Sequence, residues 1–256
     1  IGVTGVQTCA LPIWEIMKDG QLGDPLNFDD RLAIMDGNGG GGVITVTGAS
    51  GIGKSIFENT VLYQCWKMGI PVWSNSSETS SERRRLKLLA AYTGFESYKL
   101  YRVKDKYGRE YYSDAQKMQV LEAAKSLLEA PLFITSGTGY TANEWKREAK
   151  HYIKKYGVKV LMFDRLELIN HLRRPGGNEE LAITDTMKVF RELYVETGVT
   201  VIVFAQMATR GGFKERSDKR PKLEDLKGSS GIEQCSSIVL GIYRDGYYRP
   251  QAPQDE

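Results

Sequence analysis

GVITVTGASGIGKS, residues 42–55, decides how the rest of the chain is read. Its first half is a run rich in β-branched residues, the pattern of a buried strand. Its second half, GASGIGKS at residues 48–55, fits G-x-x-x-x-G-K-[ST] in full. Residues 55–68 then read as a helix, stopped by Gly69 with Pro71 just beyond. A glycine-rich loop between a strand and a helix can aim successive backbone N–H groups at one point. The helix adds its N-terminal partial positive charge, and together they favour bound phosphate. Gly48, Ala49, Ser50, Gly51, Ile52, Gly53, Lys54 and Ser55 are therefore candidate nucleotide-binding residues. Lys54 is expected to neutralise the β- and γ-phosphates of ATP, and the Ser55 hydroxyl to ligate Mg2+. The bland alternative, a glycine-rich turn with a chance lysine, does not explain the strand–loop–helix context.

Outward from this loop the pattern repeats. PVWSNSSE reads as a second strand, and Ser80 as the cap of a helix ending at Gly94. KLYRVKDKYGREYYS, with β-rich flanks around a KYG turn, reads as a hairpin insertion. Residues 114–130 and 141–156 read as helices and PLFIT as a strand. VKVLMFD, TVIVFAQ and IVLGIYR are apolar with almost no alternation, which indicates strands covered on both faces. The strand–helix rhythm predicts an α/β fold, a mostly parallel sheet flanked by helices.

Hydrolysis needs carboxylates beside the phosphate loop. Asp164 ends the strand VKVLMFD, at the carboxyl edge where open α/β sheets bind ligands, and there it can hold magnesium. Glu78 closes the second strand; if that strand neighbours the first, Glu78 faces the γ-phosphate and can orient the attacking water. A structural role beside a helix N-terminus is its alternative. Gln206 ends TVIVFAQ, where an amide can sense the γ-phosphate and pass its loss into the following loop. The alternative is a polar residue that merely ends a strand.

Composition adds bounds. With 256 residues, the chain fits one large α/β domain. A net charge of +3 implies no nucleic-acid partner by itself. No apolar run is long enough to span a membrane. Cys9, Cys65 and Cys235 form no CxxC, so reduced cytoplasmic thiols are expected. Residues 3–13, VTGVQTCALPI, resemble the translation of a sequencing adapter, so residues 1–13 are read as artefact. Residues 14–42 read as a linker or N-terminal segment, and residues 43–256 as an ATPase domain truncated at its C-terminus.

DKRPKLEDLKGSSGIEQCSSIVLGIYRD, residues 218–245, carries the most specific signal. It resembles the stretch of DnaB-type replicative helicases in which KRP, DL, SG, IEQ and YRD follow the glutamine strand. The order of features from Gly48 to Asp245 is similar as well. The resemblance implies a RecA-like P-loop NTPase fold, and a cytoplasmic homo-hexamer that moves along single-stranded DNA and unwinds duplex. Primase and a helicase loader are the implied partners, with no membrane. DNA contacts fall on channel loops, here the segment after Gln206 with Arg210, Gly212, Lys214 and Arg216. Such contacts would be sequence-independent and salt-sensitive. The basic triplet at residues 83–85 reads as exposed or subunit-facing, and the lysines and arginine of residues 146–155 as a solvated helix face.

Two departures from the family pattern stand out. Asp164 is followed by RLEL, where the family has an aromatic residue and then LQL. The sequence also stops shortly after YRD, whereas the family's trans-acting basic residues lie in a hairpin beyond it; weak hydrolysis is the expectation. The competing readings are a RecA-like recombinase or regulatory ATPase, and a non-motor ATP-dependent DNA-binding module.

Overall fold

The computed structural model describes residues 2–5, 42–102, 104–169, 179–207, 216–226 and 229–248. In chain order the elements are β1 (Gly2–Gly5), β2 (Val43–Gly48), α1 (Lys54–Met68), β3 (Val72–Ser76), α2 (Ser81–Thr93), α3 (Ser97–Arg102), α4 (Asp114–Glu129) and β4 (Leu132–Ser136). There follow α5 (Ala142–Tyr156), β5 (Val160–Asp164), α6 (Glu179–Thr197), β6 (Thr200–Gln206), α7 (Ser229–Cys235), β7 (Ile238–Tyr243) and α8 (Asp245–Tyr248). The strands form one sheet in the order β1-β7-β2-β6-β5-β3-β4. Every pairing from β7 to β4 is parallel, and only β1 runs antiparallel, along β7.

The near-absence of alternation in the strands has the expected cause, since both faces of the sheet are covered. One face packs Ile44, Val46, Val72, Val160, Met162, Ile202 and Phe204 against α1, α2 and α4 through Val61, Leu62, Leu88 and Leu127. The other packs Val43, Trp73, Leu161, Phe163, Val201 and Val203 against Trp145, Ile183, Met187, Phe190 and Ile232 of α5, α6 and α7. Trp73 stacks on both Trp145 and Tyr152, which fastens α5 to the sheet. Ser80 caps α2 by accepting from the Arg83 amide, and capping boxes open α4 at Ser113 and α5 at Thr141. No helix among the described residues is long and apolar enough to cross a membrane.

Two expectations are corrected. The stretch read as a hairpin insertion begins as the helix α3; only a single bridge, Lys104 to Glu110, closes around the turn. That turn is held by Asp105, which accepts from the amides of Tyr107 and Arg109. Of the basic triplet, Arg84 is 2% exposed, not a surface residue. It bonds Glu58 of α1, the Ser74 hydroxyl and the carbonyls of Ser74 and Thr135. Gly2–Gly5 lies as an edge strand on β7. A sheet edge presents unpaired backbone groups to any extended segment, so this pairing asks nothing of side chains.

Candidate nucleotide site

The glycines of the loop take backbone turns that other residues disfavour. Gly51 and Gly53 take positive φ of 73° and 126°, and Gly53 is the residue from which α1 starts. At Gly48 a side chain has no room: an added Cβ would lie 2.8 Å from Ile52 Cγ2 and 3.2 Å from the Ile242 carbonyl oxygen. Ile52 is fully buried and pins the loop to the core, while Ser50 and Gly51 are exposed. Lys54 folds back over the loop, donating to the carbonyls of Gly48 at 2.7 Å and Ala49 at 3.1 Å. Burial lowers its pKa, against the pull of Glu167, and Arg165 pushes the same way as burial. Tyr247 of α8 braces the loop from outside, its hydroxyl donating to the Ser50 carbonyl at 2.9 Å.

Parallel register brings the other candidates to the same edge. Gly48 pairs with Gln206, and Ser76 with Asp164. Glu78's strand does not neighbour the phosphate-loop strand, contrary to the adjacency considered for it, because β6 and β5 lie between. It neighbours the Asp164 strand instead, and Glu78 still comes close enough to act electrostatically on Lys54 and Asp164. Asp164 is 5% exposed and accepts from the Ser76 hydroxyl at 3.1 Å. Burial raises its carboxyl above the usual range, and that hydrogen bond partly offsets the rise. The Ser76 oxygen in turn accepts from the amides of Glu78 and Thr79.

Two residues for which the sequence offered no role complete the cluster. Arg165 directs Nη1 to Glu78 Oε2 at 3.3 Å and Nε toward Glu167 Oε2 at 3.8 Å. Glu167 Oε1 accepts the backbone N–H of Gln206 at 2.6 Å. Burial raises the Glu167 carboxyl, with the Gln206 amide opposing it. The only signal in the sequence was negative: RLEL broke the pattern of the family it resembles. Among the described residues no group of three or more His, Cys, Asp or Glu side chains could cage a metal. Ser55 supplies a hydroxyl at the end of the loop, and Asp164 is, with Glu167 and Glu78, one of the carboxylates that act on Lys54. That set suits magnesium, which keeps waters and substrate phosphates as its remaining ligands.

Arg216, expected to contact DNA, is turned onto its own segment. It donates to the carbonyls of Asp218 and Arg220 and grips Asp225 at 2.8 Å, so its fork is engaged by the chain itself.

Residues 25–256 match the DnaB-like helicase C terminal domain family. The chain belongs to that family. The replicative DNA helicase DnaB of Geobacillus stearothermophilus is 25% identical over 233 residues, 90% of this chain and 49% of that protein. That of Rickettsia bellii is 29% identical over 219 residues, 80% of this chain and 42% of that protein. The chain thus spans about half the length, or less, of these curated relatives. The ATPase domain of G40P superposes with a TM-score of 0.74 at 20% identity, covering 84% of this chain and 73% of that one. A DnaB-like replicative helicase, described with its interactions with primase, gives 0.73 at 20% identity, covering 84% and 50%. These neighbours share the RecA-like fold. Within this DnaB-like domain Arg210, Gly212 and Lys214 of the expected DNA loop lie outside the described residues. So do residues 170–178.

Proposed function

We propose that this DnaB-like domain couples ATP hydrolysis to movement along single-stranded DNA and to duplex unwinding, as one subunit of a homo-hexameric ring. The observation that carries the reading is the convergence of Lys54, Asp164, Glu78 and Gln206 on one sheet edge. Lys54 would exchange the carbonyls of Gly48 and Ala49 for phosphate oxygens, a better partner for an ammonium. Ser55 and Asp164 would hold magnesium, which supplies charge neutralisation between the β- and γ-phosphates. Glu78, half exposed at the mouth of the site, would orient and deprotonate the attacking water. Gln206 ends the strand beside Gly48, so the state of the phosphate reaches the segment that follows it.

That segment, with Arg210, Gly212 and Lys214, is the proposed DNA contact. Arg216 would serve it only if its grip on Asp225 opened. Cytoplasmic location, a primase and a helicase loader belong to the same proposal. A neighbour's description names primase as that neighbour's partner. The test is steady-state ATP turnover with and without single-stranded DNA, paired with a strand-separation assay. Turnover is expected to rise with DNA, to lose that stimulation as salt increases, and to vanish in Lys54→Ala. DNA-independent turnover would refute the motor reading, and stimulation without unwinding would favour a recombinase-like ATPase.

A further inference from the structure

Arg165 stands where two buried atoms are left without hydrogen bonds, its own Nε and Glu167 Oε2. At 3.8 Å these two attract without bonding, and the fork meets Glu78 through a single 3.3 Å contact. Buried polar atoms are nearly always satisfied in a native state, so both atoms have capacity for a further partner. The surroundings identify that ligand's chemistry. Arg165 is close enough to push the pKa of both Lys54 and Asp164 downward, so its positive charge is within electrostatic reach of the phosphate loop. Lys54 and Arg165 there face three carboxylates, Glu78, Asp164 and Glu167. A nucleotide tail entering beside Lys54 alone would meet uncompensated negative charge. A planar guanidinium suits a terminal phosphoryl group, since it can donate two parallel hydrogen bonds to adjacent oxygens.

We propose that Arg165 is a γ-phosphate-selecting residue supplied by the same chain that carries the phosphate loop: it rests against Glu78 and Glu167 and transfers to the terminal phosphate when a nucleoside triphosphate binds. The transfer releases Glu78 for its water, so the proposed base is unmasked only when a triphosphate is present. Glu167 keeps its hold on the Gln206 amide throughout, so the movement is felt at the end of β6. The inference rests on the ATP-binding reading given above and adds to it a discrimination between triphosphate and diphosphate.

Calorimetric titration with a non-hydrolysable ATP analogue and with ADP, each with magnesium, tests it. In Arg165→Ala, affinity for the triphosphate analogue is expected to fall about tenfold, the scale of one lost charge-assisted hydrogen bond. Affinity for ADP should change by less than about twofold, and retained ADP binding also shows that the variant is folded. Arg165→Lys should recover part of the loss, because it keeps the charge but not the fork. Glu78→Gln frees the parked guanidinium, so it should tighten triphosphate binding more in the wild-type background than in Arg165→Ala. Equal loss for both nucleotides, no loss for either, or an effect of Glu78→Gln that is independent of Arg165 would overturn the proposal. If Lys54→Ala bound both nucleotides like the wild type, the ATP-site reading itself would fall.

Discussion

Ser76 is an unremarked serine in a polar strand end, yet one hydroxyl there orders two functional groups. It donates to Asp164 and accepts from the Glu78 and Thr79 amides, so the proposed metal ligand and the proposed base share one support. Glu167 does the same for the end of β6 at an electrostatic cost. Burial raises its carboxyl above the ordinary range, so the native state binds a proton there more readily than the unfolded chain does. Stability from that preference is complete below the unfolded carboxylate range, about pH 4, and is lost as pH rises through the native value. Glu167→Gln keeps an acceptor for the Gln206 amide and removes the charge. Its melting temperature is expected to match the wild type near pH 4 and exceed it by about pH 8; a lower value at pH 8 would show that the pairing with Arg165 outweighs burial. Gly48 is constrained by space. Gly48→Ala should cost about 1–3 kcal/mol in denaturant unfolding and weaken ATP binding, because the Ile242 carbonyl belongs to the neighbouring strand and cannot yield as a side chain would.

At the scale of elements, the buried Arg84–Glu58 pair ties the phosphate-loop helix to the helix that follows Glu78. The guanidinium also reaches the Ser74 and Thr135 carbonyls, so α1, α2, β3 and β4 meet at one charge. Removing one partner strands the other in the core, and Arg84→Ala is expected to cost about 3–5 kcal/mol by urea unfolding. Glu58→Leu combined with Arg84→Met should recover most of that loss, since two apolar chains replace two desolvated ions. Recovery of stability without recovery of ATP turnover would assign the pair to alignment of the site. Helix α7 shows the same dependence on close contact. A Cβ at Gly231 would come within 2.7 Å of the Thr184 backbone, so α6 and α7 approach at a distance only glycine allows. On α5 the basic residues read as solvated are partly bridges, Lys146 and Lys150 reaching Glu196 and Lys146 also Glu192 of α6.

Among the described residues, six parallel strands form a sheet with an apolar core on each face, and the candidate site collects at the carboxyl edge of that sheet. β1 adds antiparallel backbone pairing along β7. Deleting residues 1–13 should therefore change stability by less than about 1 kcal/mol, roughly 2–4 °C in melting temperature, and leave nucleotide affinity unaltered. A larger drop would make β1 a genuine part of the fold. Much of this organisation was written locally. The phosphate loop, the caps at Ser80 and Thr141, and the unbroken apolar strands follow from short-range stereochemistry and periodicity, which neighbouring residues settle among themselves. Strand order was not local. Whether Glu78 meets Lys54, or whether Arg84 is inside or out, depends on which strands pair and which helices cover them. No window of sequence contains that information. The same holds for Arg165 and Glu167: three residues after Asp164 became the link from Glu78 to Gln206 only because the parallel register laid β3, β5 and β6 side by side, where long-range charge pairing could act.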